Sequence, residues 1–337
     1  MKSSAAISNS LVTVACPLCG GKEYRVLFRR PDHTYQISSI AFCVVRCLQC
    51  SMVFVNPRPS KEFLDDFYPE QFFGVTRDAR AVLLEQAESM QQKWKLLARF
   101  PPGRLLDIGC QKGDFLLFMQ SRGWVVDGVE ISSKSPNVFG QRIHYGSLES
   151  AGYPKHSFDL ITMWAVLEHL AEPQKMLRSL RPLLRPGGRL VVLVPNFFSL
   201  PGRLMRHDDI PRHLLLFTPF TLRKMLRKCG WELHTLHFNH ILFGGWNRGV
   251  LTYLFKWFAG EKFPEIVAQN RIFKRWNEFS TSLFAVSSPW VEWVDEWDKK
   301  LTPWLDCFFD RLGLGFTMIA EVVPRLDEGT SNKEVKI

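Results

Sequence analysis

A chain of 337 residues, 46% hydrophobic and 23% charged, holds enough apolar side chain for one ordinary core with additions, which excludes wholesale disorder and fibrous repeats. Its 43 Lys and Arg against 33 Asp and Glu give a net charge of +10, pointing to an anionic partner without choosing among phosphate-bearing small molecules, nucleic acid and an acidic membrane surface. No run of about 18 apolar residues occurs and residues 1–14 lack the apolar stretch of a secretory signal, so a cytoplasmic location is expected.

Eight cysteines in a reducing compartment point to metal ligands, reactive thiols or small buried groups rather than disulfides. Cys16 and Cys19, then Cys47 and Cys50, form two CxxC pairs, and four soft ligands in two pairs suit tetrahedral Zn2+ with no open position. Cys43 lies on an alternating, strand-like flank and reads as a packed thiol. Residues 1–59 are therefore expected to form a small zinc ribbon that needs its metal to fold.

Residues 60–100 carry apolar stripes at helical spacing (Phe63, Leu64 and Phe67; Val82 and Leu83; Met90, Trp94 and Leu97) and read as linker or lid helices. After Pro101-Pro102-Gly103 the pattern alternates between strand and helix. Strands are expected at 104–108, 124–130, 158–163 and 189–194, with helices at 115–122 and 173–184. That alternation specifies a doubly wound, mainly parallel sheet whose ligands bind at the carboxyl ends of its strands.

The loop Asp107-Ile-Gly109-Cys-Gln-Lys-Gly113 has neither the dinucleotide spacing nor a Walker lysine, and Glu130 closes the next strand, where a carboxylate can accept from both hydroxyls of a ribose. With Phe158-Asp159-Leu-Ile, Met163-Trp-Ala-Val-Leu-Glu-His169 and Leu183-Leu-Arg-Pro-Gly-Gly-Arg-Leu190 following in order, residues 104–236 resemble the class I S-adenosylmethionine-dependent methyltransferases. The resemblance implies a seven-stranded Rossmann-like sheet with a closing strand near 316–323. It implies that Asp107, Gly109 and Gly113 meet the methionine part of S-adenosylmethionine and that Glu130 holds its ribose. It also implies that Cys110, Ser147, Leu148 and Trp164 complete the cofactor site, and that His213 lies before the penultimate helix as in the family. Two positions depart from the family: Gln111 stands where a glycine is usual, and Ser147 where an aspartate commonly meets adenine.

Transfer of a methyl group to a hydroxyl needs alignment and removal of a proton. His169 and His213 are the candidate bases, with Glu168 beside the first; His169 equally suits a helix-start hydrogen-bonding role, and the Glu168–His169 pair suits a metal if a third ligand joins it. Arg206 and Arg212 are candidates for an anionic group on the acceptor. A helix opened by Thr218 or Thr221 and a sixth strand at 231–238 complete the expected core.

Residues 239–312 form a helical, aromatic-rich insertion before the last strand. Trp290, Trp293, Val294, Trp297, Leu301, Trp304, Leu305, Phe308 and Leu312 make one stripe whose opposite face is largely acidic, which favours packing on the domain or on a second copy in a homodimer. The basic and aromatic residues between 248 and 276 suit a membrane-surface contact or a lipid-linked acceptor; nucleic acid is the rival partner. The closing strand at 313–324 is expected to run antiparallel, and residues 325–337 form a polar tail. The expected function is methylation, on oxygen, of a small or lipid-linked acceptor such as a sugar, cell-envelope glycan, quinone or other secondary metabolite. RNA methylation and a non-enzymatic zinc-dependent binding module are the alternatives.

Overall fold

The computed structural model describes residues 10–32, 34–73, 79–199, 209–239, 297, 300, 301, 304 and 307–325. The N-terminal part contributes β1 (Leu11–Val12), β2 (Tyr24–Arg30), β3 (Phe42–Cys47), β4 (Val53–Val55) and β5 (Arg58–Pro59). Two 3-10 turns, Leu64–Phe67 and Glu70–Phe73, precede helix α1 (Ala79–Leu97), so the expected linker helices are one long helix behind two tight turns. The core follows as β6 (Arg104–Ile108), α2 (Asp114–Gln120), β7 (Val125–Glu130), β8 (Ile143–Tyr145), β9 (Phe158–Trp164), α3 (Pro173–Leu180), β10 (Leu184–Pro195), β11 (Leu215–Leu216), α4 (Pro219–Lys228), β12 (Trp231–Asn239) and β13 (Thr317–Pro324). Helix α3 stops four residues short of its expected end because Pro182 cannot donate to the ladder, and a 3-10 turn at Arg181–Leu183 takes over.

Seven strands pair in the order β12-β13-β10-β9-β6-β7-β8, and β13 alone is reversed, antiparallel to both β10 and β12. Alternate residues of the central strands serve two cores. Leu106, Ile108, Ile161, Met163 and Val192 pack with Leu177 and Leu180 of α3 and Met225 and Leu226 of α4. Leu105, Leu160, Val191 and Leu193 pack with Met90 and Leu97 of α1 and with Phe115, Leu116 and Met119 of α2. Burial on both faces is why these strands read as mainly apolar runs. The order of crossovers reverses around β6, which opens a crevice at the carboxyl ends of β6, β7, β9 and β10.

Helix α4 opens with a reciprocal capping box. Thr221 donates its backbone N–H to Thr218 Oγ1 (3.2 Å), and the Thr218 N–H donates to Thr221 Oγ1 (2.9 Å).

The cysteine-bearing segment is joined to the core rather than strung beside it. Strands β2, β3 and β4 form a four-stranded antiparallel sheet completed by β11, which the chain supplies after β10. Leu18, Val45, Met52 and Phe54 share one buried cluster with Leu214, Leu215, Phe217 and Leu222. Gln174 Nε2 donates to the carbonyls of Pro17 (2.6 Å) and Leu18 (3.2 Å), and Lys228 Nζ donates to Leu18 O (2.6 Å), so α3 and α4 both hold the first cysteine turn. No helix among the described residues is long and apolar enough to cross a membrane.

Candidate functional site

At the end of β6, Asp107 is buried and accepts a hydrogen bond from Thr162 Oγ1 (2.6 Å) on the neighbouring β9. Burial pushes its carboxyl up to about 7, against the pull of the Thr162 hydroxyl and the Lys93 ammonium. The loop beyond it turns through positive φ at Gly109 (71°), Gln111 (46°) and Gly113 (83°). A Cβ at Gly109 would come within 2.5 Å of Val166 Cγ2, so the loop after β6 lies directly on the loop after β9. Gln111 occupies left-handed backbone that costs an ordinary residue about 1 kcal/mol. Gln111→Gly is therefore expected to raise unfolding stability by up to about 1 kcal/mol in a urea titration; a loss of stability would show that its side chain contributes more than its backbone costs.

Glu130, the last residue of β7, is buried under this loop. Its Oε2 accepts the Gln111 N–H (3.1 Å) and its Oε1 the Ser132 N–H (2.9 Å). Burial raises its pKa, and the Ser132, Gln111 and Ile131 N–H groups oppose the shift. A carboxylate has about four acceptor positions, so capacity remains for a hydroxyl donor at the rim. The Gly146 N–H donates to Glu130 O (2.8 Å), which brings the β8 end alongside. There Leu148 is buried, while Ser147 is exposed and spends its hydroxyl oxygen on the Ser150 N–H (3.1 Å). The Cys110 thiol is directed over Gly128 beside Leu116 and is raised by burial, so it packs inward.

Trp164, ending β9, meets Phe115 edge to face at 5.5 Å, and its buried indole N–H has no hydrogen-bond partner. Lys93 of α1 sets its ammonium 5.3 Å from the Trp164 ring centroid and 5.1 Å from that of Phe115. Lys93 carries no motif signal; only its position on α1 brings it to the rim.

The 3-10 turn Leu167–His169 follows β9 and supplies a second group. Glu168 is 1% exposed, its carboxylate oxygens have no hydrogen-bond partner beyond its own backbone N–H, and burial pushes its pKa up to about 8. His169 Nδ1 lies 2.9 Å from Tyr68 Oη and 3.1 Å from the Arg212 carbonyl, and its ring centroid is 4.7 Å from that of His213. Burial, helped by the neighbouring His213, pushes His169 down to about 3, and burial lowers His213 as well. One donor atom from each of Glu168, His169 and His213 lies within 4.8 Å of the others. The fold thus provides the third member that the Glu168–His169 pair lacks in sequence.

Arg212 is not an acceptor contact. It is fully buried, with Nη2 2.8 Å from Asp32 Oδ1 and Nε 2.9 Å from Asp209 Oδ2, and it also donates to Phe67 O (3.1 Å). Asp32 lies 180 positions earlier, which is why a charged loop residue read as a solvent-facing one. Burial works against ionisation of Asp209, but the Arg212 charge outweighs it and holds the carboxyl at about 2. Arg206 lies outside the described residues.

Residues 83–236 match a family model described as a methyltransferase domain. Together with the strand order, the single reversed strand and the acidic residues at the ends of β6 and β7, this match decides the assignment. Residues 83–236 form a SAM-dependent methyltransferase domain. The chain is similar to a ubiquinone biosynthesis O-methyltransferase of Aromatoleum aromaticum (33% identical over 149 residues, 38% of this chain and 64% of that protein). It is also similar to a tRNA 5-carboxymethoxyuridine methyltransferase of Escherichia coli (30% identical over 156 residues, 42% of this chain and 56% of that protein). A solved SAM-dependent methyltransferase from Archaeoglobus fulgidus aligns over 78% of this chain and 99% of its own at 19% identity, with a TM-score of 0.45. The chain spans 43%, 64% and 66% of three ubiquinone biosynthesis O-methyltransferases that it matches.

The methyltransferase core carries its four-cysteine cluster against α3 and α4. Cys16 Sγ and Cys50 Sγ lie 3.4 Å apart, Cys19 Sγ and Cys47 Sγ 3.5 Å, and all four sulfurs fall within 4.8 Å of one another. A disulfide needs about 2.05 Å, whereas sulfurs about 2.3 Å from one tetrahedral ion stand about 3.8 Å apart, so the spacing fits a shared metal. Burial raises Cys16 and Cys50. At Cys19 burial acts the same way but is outweighed by the Gly21 N–H and the neighbouring thiols, which bring it down to about 7. Cys43 lies on β3 and is not part of the cluster.

Most of the expected insertion lies outside the described residues. Of its stripe, Trp297, Leu301, Trp304, Phe308 and Leu312 are described and exposed, Trp304 to 80%.

Proposed function

We propose that the chain transfers a methyl group from S-adenosylmethionine to a hydroxyl oxygen of a small or lipid-linked acceptor, and that Cys16, Cys19, Cys47 and Cys50 hold a structural Zn2+. The observation that carries the reading is Glu130, a buried carboxylate at the carboxyl end of β7 with both oxygens anchored by backbone N–H groups and capacity left for a ribose hydroxyl. Gly109 and Gly113 allow close backbone approach, and Leu148 and Trp164 supply apolar walls. The cofactor contributes an electrophilic methyl group on a sulfonium. The chain's own residues align the acceptor at the rim, exclude water, and assist loss of its proton through Glu168 and His169, one turn beyond Trp164, and through His213 beside them.

Oxygen as the target is supported by this titratable cluster and by relatives named for O-methylation. The basic and aromatic residues between 248 and 276 support a lipid-linked acceptor and a membrane-surface contact through the insertion. The net charge and the tRNA-modifying relative favour RNA as the second reading. Incubation with methyl-labelled S-adenosylmethionine and separate pools of phenols and quinols, lipid-linked glycans and total RNA distinguishes them. Label is expected in an organic or glycan acceptor. Label in RNA, suppressed steeply by salt, would move the assignment to the second reading.

A further inference from the structure

We propose that Glu168, His169 and His213 form a second metal site, one that holds a divalent cation with open coordination positions at the acceptor mouth. The proposal rests on the methyltransferase reading of the rim and adds how the acceptor's hydroxyl is activated.

Three observations converge on the site. One ligating atom from each residue lies within 4.8 Å of the others, whereas cis ligands about 2.1 Å from a common ion stand about 3.0–3.5 Å apart, so modest side-chain rotation closes the set. Glu168 is 99% buried, yet its carboxylate oxygens find no hydrogen-bond partner beyond its own backbone N–H, an arrangement that a cation bound by the carboxylate would satisfy. The Arg212 carbonyl, which can only accept, lies 3.1 Å from His169 Nδ1 and supports the tautomer protonated there, the one that leaves Nε2 a free lone pair, with the Tyr68 hydroxyl (2.9 Å) as the second neighbour of Nδ1. A carbonyl orienting the far nitrogen of a histidine is the usual support of a metal ligand.

Charge points the same way. The positive charge of Arg212 is set against both Asp32 and Asp209, so this buried group carries one negative charge in excess before Glu168 is counted, a setting that favours a cation. Two imidazoles and one carboxylate suit Zn2+, Fe2+ or Mn2+ and leave positions for an acceptor oxygen, unlike the closed four-thiolate cluster. Bound there, a cation would polarise the acceptor's O–H, and the proton would leave to solvent. The O–C bond then forms as the S–C bond of the sulfonium breaks, and sulfur keeps the electron pair.

Manganese separates the two sites, because a hard ion avoids thiolates. The zinc-loaded full chain would be titrated with Mn2+ and followed by electron paramagnetic resonance, with total zinc plus manganese counted by mass spectrometry and S-adenosylhomocysteine binding measured on the same samples. The expected result is two ions per wild-type chain, and one in Glu168→Gln and in His213→Gln, with affinity at the second site reduced at least tenfold and S-adenosylhomocysteine still bound. A single ion in the wild type, or a second ion held equally well by both variants, would overturn the site while leaving the cofactor rim standing. A second ion lost in the variants from a protein that never binds S-adenosylhomocysteine would uphold the metal site and defeat the methyltransferase reading. Should Glu168→Gln fail to fold, His213→Gln decides alone.

Discussion

Asp32→Ala is expected to destabilise the chain by about 3–5 kcal/mol in urea unfolding, a loss typical of one partner removed from a buried ion pair. The Arg212 guanidinium is fully buried, with its Cζ 4.5 Å above the Tyr35 ring, and Asp32 neutralises one side of it while Asp209 takes the other. Asp32 also accepts the backbone N–H groups of Tyr35 (3.2 Å) and Ile37 (3.1 Å), which the alanine would leave unsatisfied. The damage reaches the rim, because the Arg212 carbonyl orients His169. Asp32→Asn keeps an acceptor for one of the two N–H groups but not the charge, and should fall between the wild type and the alanine variant. A loss below about 1 kcal/mol for Asp32→Ala would mean that water reaches the guanidinium and that the ion pair is not a buried one.

Cys47→Ser, or removal of the ion by a chelator, is expected to cost more than about 4 kcal/mol, since the binding free energy of a structural Zn2+ is folding free energy. The form of the transition is more telling than its size. An independent ribbon would melt separately and leave the seven-stranded sheet in place. Here β11 completes the ribbon's sheet, Leu18 and Phe54 share a cluster with Leu215 and Leu222, and Gln174 and Lys228 donate to the first cysteine turn. Scanning calorimetry should show one cooperative transition moved to lower temperature. Two resolved transitions after metal removal would contradict the shared core.

Much of the sheet was legible because β6, β9 and β10 are buried on both faces and read as mainly apolar runs, and because a glycine loop follows β6 and Glu130 ends β7. The start of α4 was legible from Thr218 and Thr221 alone. Strand β8 was not, since three residues, Ile143–Tyr145, carry no period. The joining of β11 to β4 was equally hidden: Leu215 pairs with Phe54, and nothing local marks a two-residue strand supplied across so long a separation. At the site, Glu130 and the glycine loop were readable from position, while the roles of Lys93, Tyr68 and Arg212 depend on contacts between distant segments. Glu168 and His169 are adjacent, but their companion His213 lies on another loop, and only the fold brings the three together.

Calorimetric titration of the full chain with S-adenosylhomocysteine, repeated on Glu130→Ala, tests the central claim most directly. Micromolar binding, about −8 kcal/mol, is expected for the wild type, weakened by about 1–3 kcal/mol when the ribose acceptor is removed. A wild-type chain that binds neither S-adenosylhomocysteine nor S-adenosylmethionine would contradict the account and leave a methyltransferase fold serving as a metal-dependent binding module. Unchanged affinity in Glu130→Ala would contradict the place given to that carboxylate.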